Sequence, residues 1–220
     1  MIKQEYHHGN LKKEFLDISF EFIKNNSVED LTLKVLSDAT GTSRSAIYRH
    51  FSSKDALIET MIEHAFKEFD DMVVLIFRDK EVPLIDRLFV ALKTYIEFAR
   101  ENPNMYRLLF GEKFKHMRDE IINIKEEDCH GFGALRLTIE EGQKSGIIKP
   151  ESSYKQTIVV WSSLHGLASL TNDGFMDVAE IYEDIYMEIF KGLLAALAVK
   201  DAKIVTNLPI LEELLSPKEI

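Results

Sequence analysis

Residues 33–54, LKVLSDATGTSRSAIYRHFSSK, constrain this chain more than any other stretch. Their pattern predicts a short helix, a sharp turn at Gly41, a second short helix, and a cap that opens a third. Glycine takes positive φ without steric cost, so Gly41 marks the turn. Ser43 has the side chain to cap the N-terminus that follows. Leu33, Leu36 and Ala39 are placed to face inward from the first helix. Ile47 and Phe51 are placed to do so from the second helix and its exit. Thr42, Arg44, Ser45, Tyr48, Arg49 and His50 are left outside. Such a row of hydrogen-bond donors on a second helix suits the major groove of DNA. An ordinary helical hairpin with a solvated polar face has the same spacing, so spacing alone leaves both readings open.

The rest of the chain reads as helix after helix, and no strand pattern is convincing. Leu11, Phe15, Ile18 and Phe22 recur at helical steps before Asn25-Asn26. Thr32 can cap the next helix. Ser52-x-x-Asp55 has the form of a capping box for a long linking helix. That helix carries apolar residues at Leu57, Met61, Ala65, Phe69, Met72 and Ile76 and ends at the charged break before Pro83. Leu84, Leu88, Leu92, Tyr95 and Ala99 form a further stripe, closed by Asn102-Pro103. Met105–Phe110 is a short apolar piece ended by Gly111. Residues 114–145 read as a long helical stretch, with Gly131 and Gly133 as possible interruptions and Gly146 as its cap. Ser153-x-x-Gln156 predicts the start of a helix bearing Trp161, Leu164 and His165. Ile181, Ile185, Ile189, Leu193 and Leu197 mark the last long one. Leu208–Leu215 predicts a short helix in the tail.

Composition narrows the class. The 220 residues suffice for one moderate core or two small ones. A single cysteine, Cys129, excludes an intrachain disulfide and suits a reducing compartment. No N-terminal signal-like run and no stretch long enough to span a membrane is apparent, which predicts a cytoplasmic protein without a membrane partner. The net charge of −10 is unevenly spread. Residues 1–60 hold eight Lys or Arg against nine Asp or Glu, about −1, so the other 160 residues carry −9. An acidic body behind a near-neutral head would repel a duplex except when the head leads. There is no glycine-rich phosphate loop, GxSxG, HExxH or CxxC, so neither an enzyme nor a cofactor is expected. Glu126, Asp128, Cys129 and His130 read as a solvated loop rather than a metal site.

The stretch from Tyr6 to Met61 resembles the DNA-binding domain of the TetR family of bacterial transcription regulators. The residues that carry the likeness are Tyr6-His7-His8-Gly9-Asn10-Leu11, Thr40-Gly41-Thr42-Ser43, Ile47-Tyr48-Arg49-His50-Phe51 and Lys54-Asp55-Ala56-Leu57. Trp161-Ser162-Ser163-Leu164-His165-Gly166 is similar to the tryptophan-histidine-glycine (WHG) motif of one C-terminal subfamily. Thr42 stands where valine or isoleucine is frequent, and Leu36-Ser37 replaces a commoner Ile-Ala pair.

The resemblance implies an all-α fold. Residues 1–54 would form a helix-turn-helix domain, 55–200 a helical ligand-binding and dimerisation domain, and 201–220 a tail. It implies a homodimeric repressor, paired through the last two long helices, on a palindromic operator in double-stranded DNA. Release would follow binding of a small apolar or amphipathic effector. Thr42, Ser43, Arg44, Ser45, Tyr48, Arg49, His50 and Lys54 are the expected DNA contacts, with Tyr48, His50 and Lys54 at phosphates. Phe69, Phe98, Tyr106, Phe110, Phe132, Trp161 and His165 are the candidates to line the effector site. A helical ligand-binding or protein-interaction module without operator binding is the alternative.

Overall fold

The computed structural model describes residues 11–117, 131–175 and 182–215. Residues 6–10, residues 126–130 and Ile181 lie outside them. In chain order the helices are α1 (Leu11–Asn25), α2 (Leu33–Thr40), α3 (Arg44–Tyr48), α4 (Lys54–Arg78), α5 (Leu84–Glu101), α6 (Pro103–Phe110), α7 (Gly131–Lys144), α8 (Ser153–Asn172), α9 (Tyr182–Leu197) and α10 (Pro209–Leu215). Short 3-10 turns cover Val28–Asp30 and Glu112–Phe114. The fold is all-α. Among the described residues the one β feature is an isolated antiparallel bridge between Ile148 and Ala198. No described helix is long and apolar enough to cross a membrane.

The described residues form two compact units. The first comprises 11–67 and 102–117. In it α1 packs on α2 and α6, and α2 on α3. Its core includes Phe15, Ile23, Leu36, Ile47, Phe51 and Met61. The buried face of α1 is centred on Phe15, Leu16, Ser19 and Ile23, with Ile18 and Phe22 at its edge. Ser19 is tolerated there because its hydroxyl donates to the Phe15 carbonyl at 2.7 Å. Ala39 does not face inward as expected. It is exposed, and Thr40 is buried in its place, its hydroxyl donating to the Leu36 carbonyl at 2.7 Å.

The second unit comprises 68–101, 131–175 and 182–215. Here α5 is buried on nearly every side and packs on α7 and α8. Two tyrosines of α9 reach α5 backbone: Tyr182 OH donates to the Ile96 carbonyl at 3.0 Å and Tyr186 OH to the Phe89 carbonyl at 2.7 Å. Burial, then the Glu183 and Glu97 charges, push the Tyr186 phenol above its ordinary pKa, so it remains a donor. Gly146 ends α7 as expected, with φ 74°. The Gly146 N–H reaches the Gln143 carbonyl and the Ile147 N–H the Gly142 carbonyl, the paired bonds of a Schellman cap.

Two caps fall one residue from the expected position. The Ser53 hydroxyl, not that of Ser52, accepts from the Ala56 N–H at the start of α4. Ser152, not Ser153, caps α8. In α4 the buried series continues from Phe69 to Val73 and Phe77, while Met72 and Ile76 are half-buried.

The tail is part of the second unit. Leu211 of α10 is fully buried within its own chain. Asp86, 1% exposed, accepts from the Thr206 hydroxyl and from the Asn207 N–H at 2.7 Å. Asp86→Ala removes the acceptor for both donors and should cost about 1–3 kcal/mol. Asp86→Asn keeps one acceptor oxygen and should cost less. An unchanged urea midpoint in Asp86→Ala would refute this anchoring of the tail.

Candidate nucleic-acid interface

The turn between α2 and α3 is built as its sequence requires. Gly41 has φ 64° and closes α2 in the left-handed region. Ser43 caps α3, its hydroxyl accepting from the Ala46 N–H at 3.3 Å and lying 2.8 Å from that of Ser45. Thr42 is half-buried. Its hydroxyl meets that of Thr40 at 2.7 Å, and its carbonyl accepts from the Ser37 hydroxyl at 2.6 Å. Thr42 therefore spends its polar atoms on the turn.

Ile47 and Phe51 anchor the inner side of α3. Arg44, Ser45, Tyr48, Arg49 and His50 are exposed around it, Tyr48 to 54%. The His50 ring stands edge-on to Phe15, with centroids 5.8 Å apart. Lys54, the first residue of α4, is half-buried, and its Nζ donates to the Glu29 carbonyl at 2.7 Å. The structure thus gathers Ser43, Arg44, Ser45, Tyr48, Arg49 and His50 on one short helix and its two ends. Among the described residues, neither Arg44 nor Arg49 has an ion-pair partner.

The candidate effector residues divide between the units. Phe69, Phe98, Phe132, Trp161 and His165 lie in the second, in two groups of ring contacts linked by one hydrogen bond. Phe69 meets Phe98 at 4.9 Å and Tyr95 at 5.5 Å. Tyr95 OH pairs with His165 Nδ1 at 2.9 Å. His165 meets Trp161 at 5.5 Å, and Trp161 meets Phe132 at 6.0 Å. Tyr106 and Phe110 pair at 5.0 Å in the first unit, where Phe110 also meets Phe66. The residue that sequence reasoning left out of this set is Tyr95, placed only in a core stripe. A phenol inside an apolar stripe needs a polar partner, and that is the signal that would have found it.

Residues 16–61 match the family described as Bacterial regulatory proteins, tetR family. Residues 88–197, half of the chain, match its Tetracyclin repressor-like, C-terminal domain. The chain belongs to the TetR family. It is a DNA-binding regulator and not an enzyme. Among curated relatives of this TetR-family chain, the nucleoid occlusion factor SlmA of Vibrio cholerae is 29% identical over 122 residues. That match covers 53% of this chain and 62% of SlmA, less than two thirds of the relative. Solved structures share the fold. A protein of unknown function from Rhodococcus sp. RHA1 aligns with TM-score 0.72 and 20% identity, over 90% of this chain and all of that one. A TetR family protein from Vibrio parahaemolyticus aligns with TM-score 0.62 and 16% identity, over 86% of this chain and 98% of that one.

Proposed function

We propose that this TetR-family regulator is a homodimeric repressor that binds a palindromic operator and releases it when a small apolar or amphipathic ligand occupies the body. The observation that carries the reading is the outer face of α3. Two uncompensated arginines and a row of donors stand exposed on a helix whose inner side is locked by Ile47 and Phe51. Arg44 and Ser45 open the helix and are the base-reading residues, since an arginine there can pair with guanine O6 and N7. Tyr48, His50 and Lys54 contact phosphates, which position the helix without reading sequence.

One short helix reads too few base pairs to select a site, so a two-fold partner is required. The surface of α8 supports pairing. Val160, Leu164 and Leu167 face the interior, yet Tyr154, Ile158, Val159 and Trp161 are 39–49% exposed. A helix apolar on both sides needs a cover. With α9 it forms the dimer face. The WHG subtype belongs to the same reading, supported by the contact of the tilted Trp161 and His165 rings at 5.5 Å beside Gly166. The ring groups Phe69–Phe98 and Phe132–Trp161 supply the apolar surroundings, and the Tyr95–His165 hydrogen bond between them the polar point, that a small ligand needs. Binding there would shift the population away from the DNA-competent state.

Selection of duplexes from a random pool, followed by salt titration of the winner, tests this. A palindromic winner with steeply salt-dependent affinity is expected. Arg44→Ala should relax preference at one base pair by about 1–3 kcal/mol. Tyr48→Ala and Lys54→Ala should weaken binding to every sequence alike. A single asymmetric half-site as winner would overturn the dimer, and no enrichment would overturn the operator reading.

A further inference from the structure

Lys54 is held by a residue that carries its own negative charge. Glu29 sits in the 3-10 turn between α1 and α2, and its backbone carbonyl accepts from Lys54 Nζ at 2.7 Å. A carbonyl is a neutral partner, so it fixes the ammonium group without cancelling its charge. The Glu29 carboxylate is the anion attached to that same residue. It is turned instead to Lys113, with Nζ–Oε1 2.7 Å. The neighbouring acid, Asp30, accepts from the Ser27 hydroxyl at 2.9 Å. Lys113 belongs to the turn that follows α6, and Asn104 of α6 donates to the Ile23 carbonyl at 3.0 Å. The segment carrying Lys113 is therefore docked at the end of α1, beside the Glu29 turn. Hydrogen bonding from Lys113, first, and from its own N–H hold the Glu29 carboxyl below its ordinary pKa, in agreement with a charged pair.

We propose that Lys113 is a positioning residue for DNA binding: by engaging the Glu29 carboxylate it leaves Lys54 held by a carbonyl and positively charged toward phosphate. This rests on the reading of Lys54 as a phosphate contact. Without Lys113 the Glu29 carboxylate loses its partner, while the Lys54 ammonium stands 2.7 Å from the carbonyl of that same residue. Lys54 and Glu29 then pair, and a phosphate must compete with that carboxylate. Lys113 makes its contribution from a segment that lies, in sequence, between α5 and α7 of the second unit.

The test uses the full-length protein and sheared mixed-sequence duplex DNA at several salt concentrations, because a phosphate contact does not depend on sequence. Lys113→Ala should weaken binding at low salt by about 3-fold or more, and lower the slope of log K against log salt by about 0.9, one phosphate contact. Glu29→Gln added to Lys113→Ala should restore both. In a Lys54→Ala background, Lys113→Ala should have no further effect. That cycle separates loss of Lys54 from general loss of structure, which glutamine at position 29 would not repair. If Lys113→Ala matches a wild type that binds DNA, the proposal fails while the operator reading stands. It also fails if Lys113→Ala is equally harmful without Lys54, which would make Lys113 a direct contact. If the wild type binds no duplex, both readings fall together.

Discussion

Replacing Phe51 by alanine should cost about 3–5 kcal/mol, the usual loss when a buried phenylalanine is truncated. That is a large part of the roughly 5–15 kcal/mol that holds a domain folded. Phe51 is 2% exposed at the exit of α3, with its ring edge toward Phe15 at 6.4 Å between centroids. The Lys12 ammonium lies 5.7 Å from the ring centroid. The Phe51 backbone N–H closes the last turn of the helix on the Ile47 carbonyl at 2.9 Å. Removing the ring therefore leaves a cavity directly behind Tyr48, Arg49 and His50. Urea unfolding followed by circular dichroism, at fixed protomer concentration, should show the lower midpoint. Affinity for DNA should fall for all sequences alike, because the platform rather than one base contact is lost. Phe51→Leu refills most of the volume and should keep most of both properties. A midpoint unchanged in Phe51→Ala would show that the ring does not anchor α3.

Much of this head was legible because its signals are local. Gly41 needs positive φ, Ser43 stands where a cap belongs, Ile47 is the large aliphatic residue of a five-residue helix, and Phe51 follows at its exit. Those features depend on neighbours a few positions away. Reading failed where packing depends on distant partners. The helical period places Ala39 inward, but Thr40 is buried instead, because a threonine can bury its hydroxyl by donating it to the preceding turn. Met72 and Ile76 fitted the apolar stripe of α4, yet Val73 and Phe77 are buried, because a long helix turns its buried face gradually. The greatest departure is at Asp86 and Arg87. Periodicity assigns adjacent charges to the surface, whereas both are buried, since Thr206 and Asn207 reach the first and Glu141 the second. No local pattern announces a partner 120 or 54 residues away. The candidate interface was similarly divided. Exposure of the α3 side chains followed from the helix period, but the carbonyl that holds Lys54 and the ion pair behind it arise from tertiary contacts. The DNA-contact roles came from the family resemblance and rest on the proposed reading.

Glu141→Ala should destabilise the protein by about 3 kcal/mol, the low end of the cost of breaking a buried pair. Arg87 is 2% exposed. Its Nη1 donates to the Phe77 carbonyl in the last turn of α4 at 2.7 Å and to Glu141 Oε2 at 3.2 Å, while Nη2 pairs with Glu141 Oε1. Lys80 joins the same carboxylate from outside. The low end applies because the Glu141 side chain is 35% exposed, so water already screens part of the interaction. With the carboxylate gone, the guanidinium keeps its burial and loses its counter-charge. Replacing the pair together, Arg87→Met with Glu141→Leu, removes that penalty and should come out far closer to wild type than Glu141→Ala alone. Acid provides an independent check. Burial pushes the Glu141 carboxyl up, but Arg87 and Lys80 outweigh it, so its folded pKa lies below the ordinary value of 4.5. Stability from a depressed carboxyl is complete above the unfolded pKa and disappears as pH falls through the folded one. The gap between wild type and Glu141→Ala in urea should therefore be widest near neutrality and narrow below about pH 4. A gap that stays constant down to pH 3 would show that lost packing, rather than the charge on Glu141, accounts for the cost. A double replacement no more stable than Glu141→Ala would reject the stranded arginine as its cause.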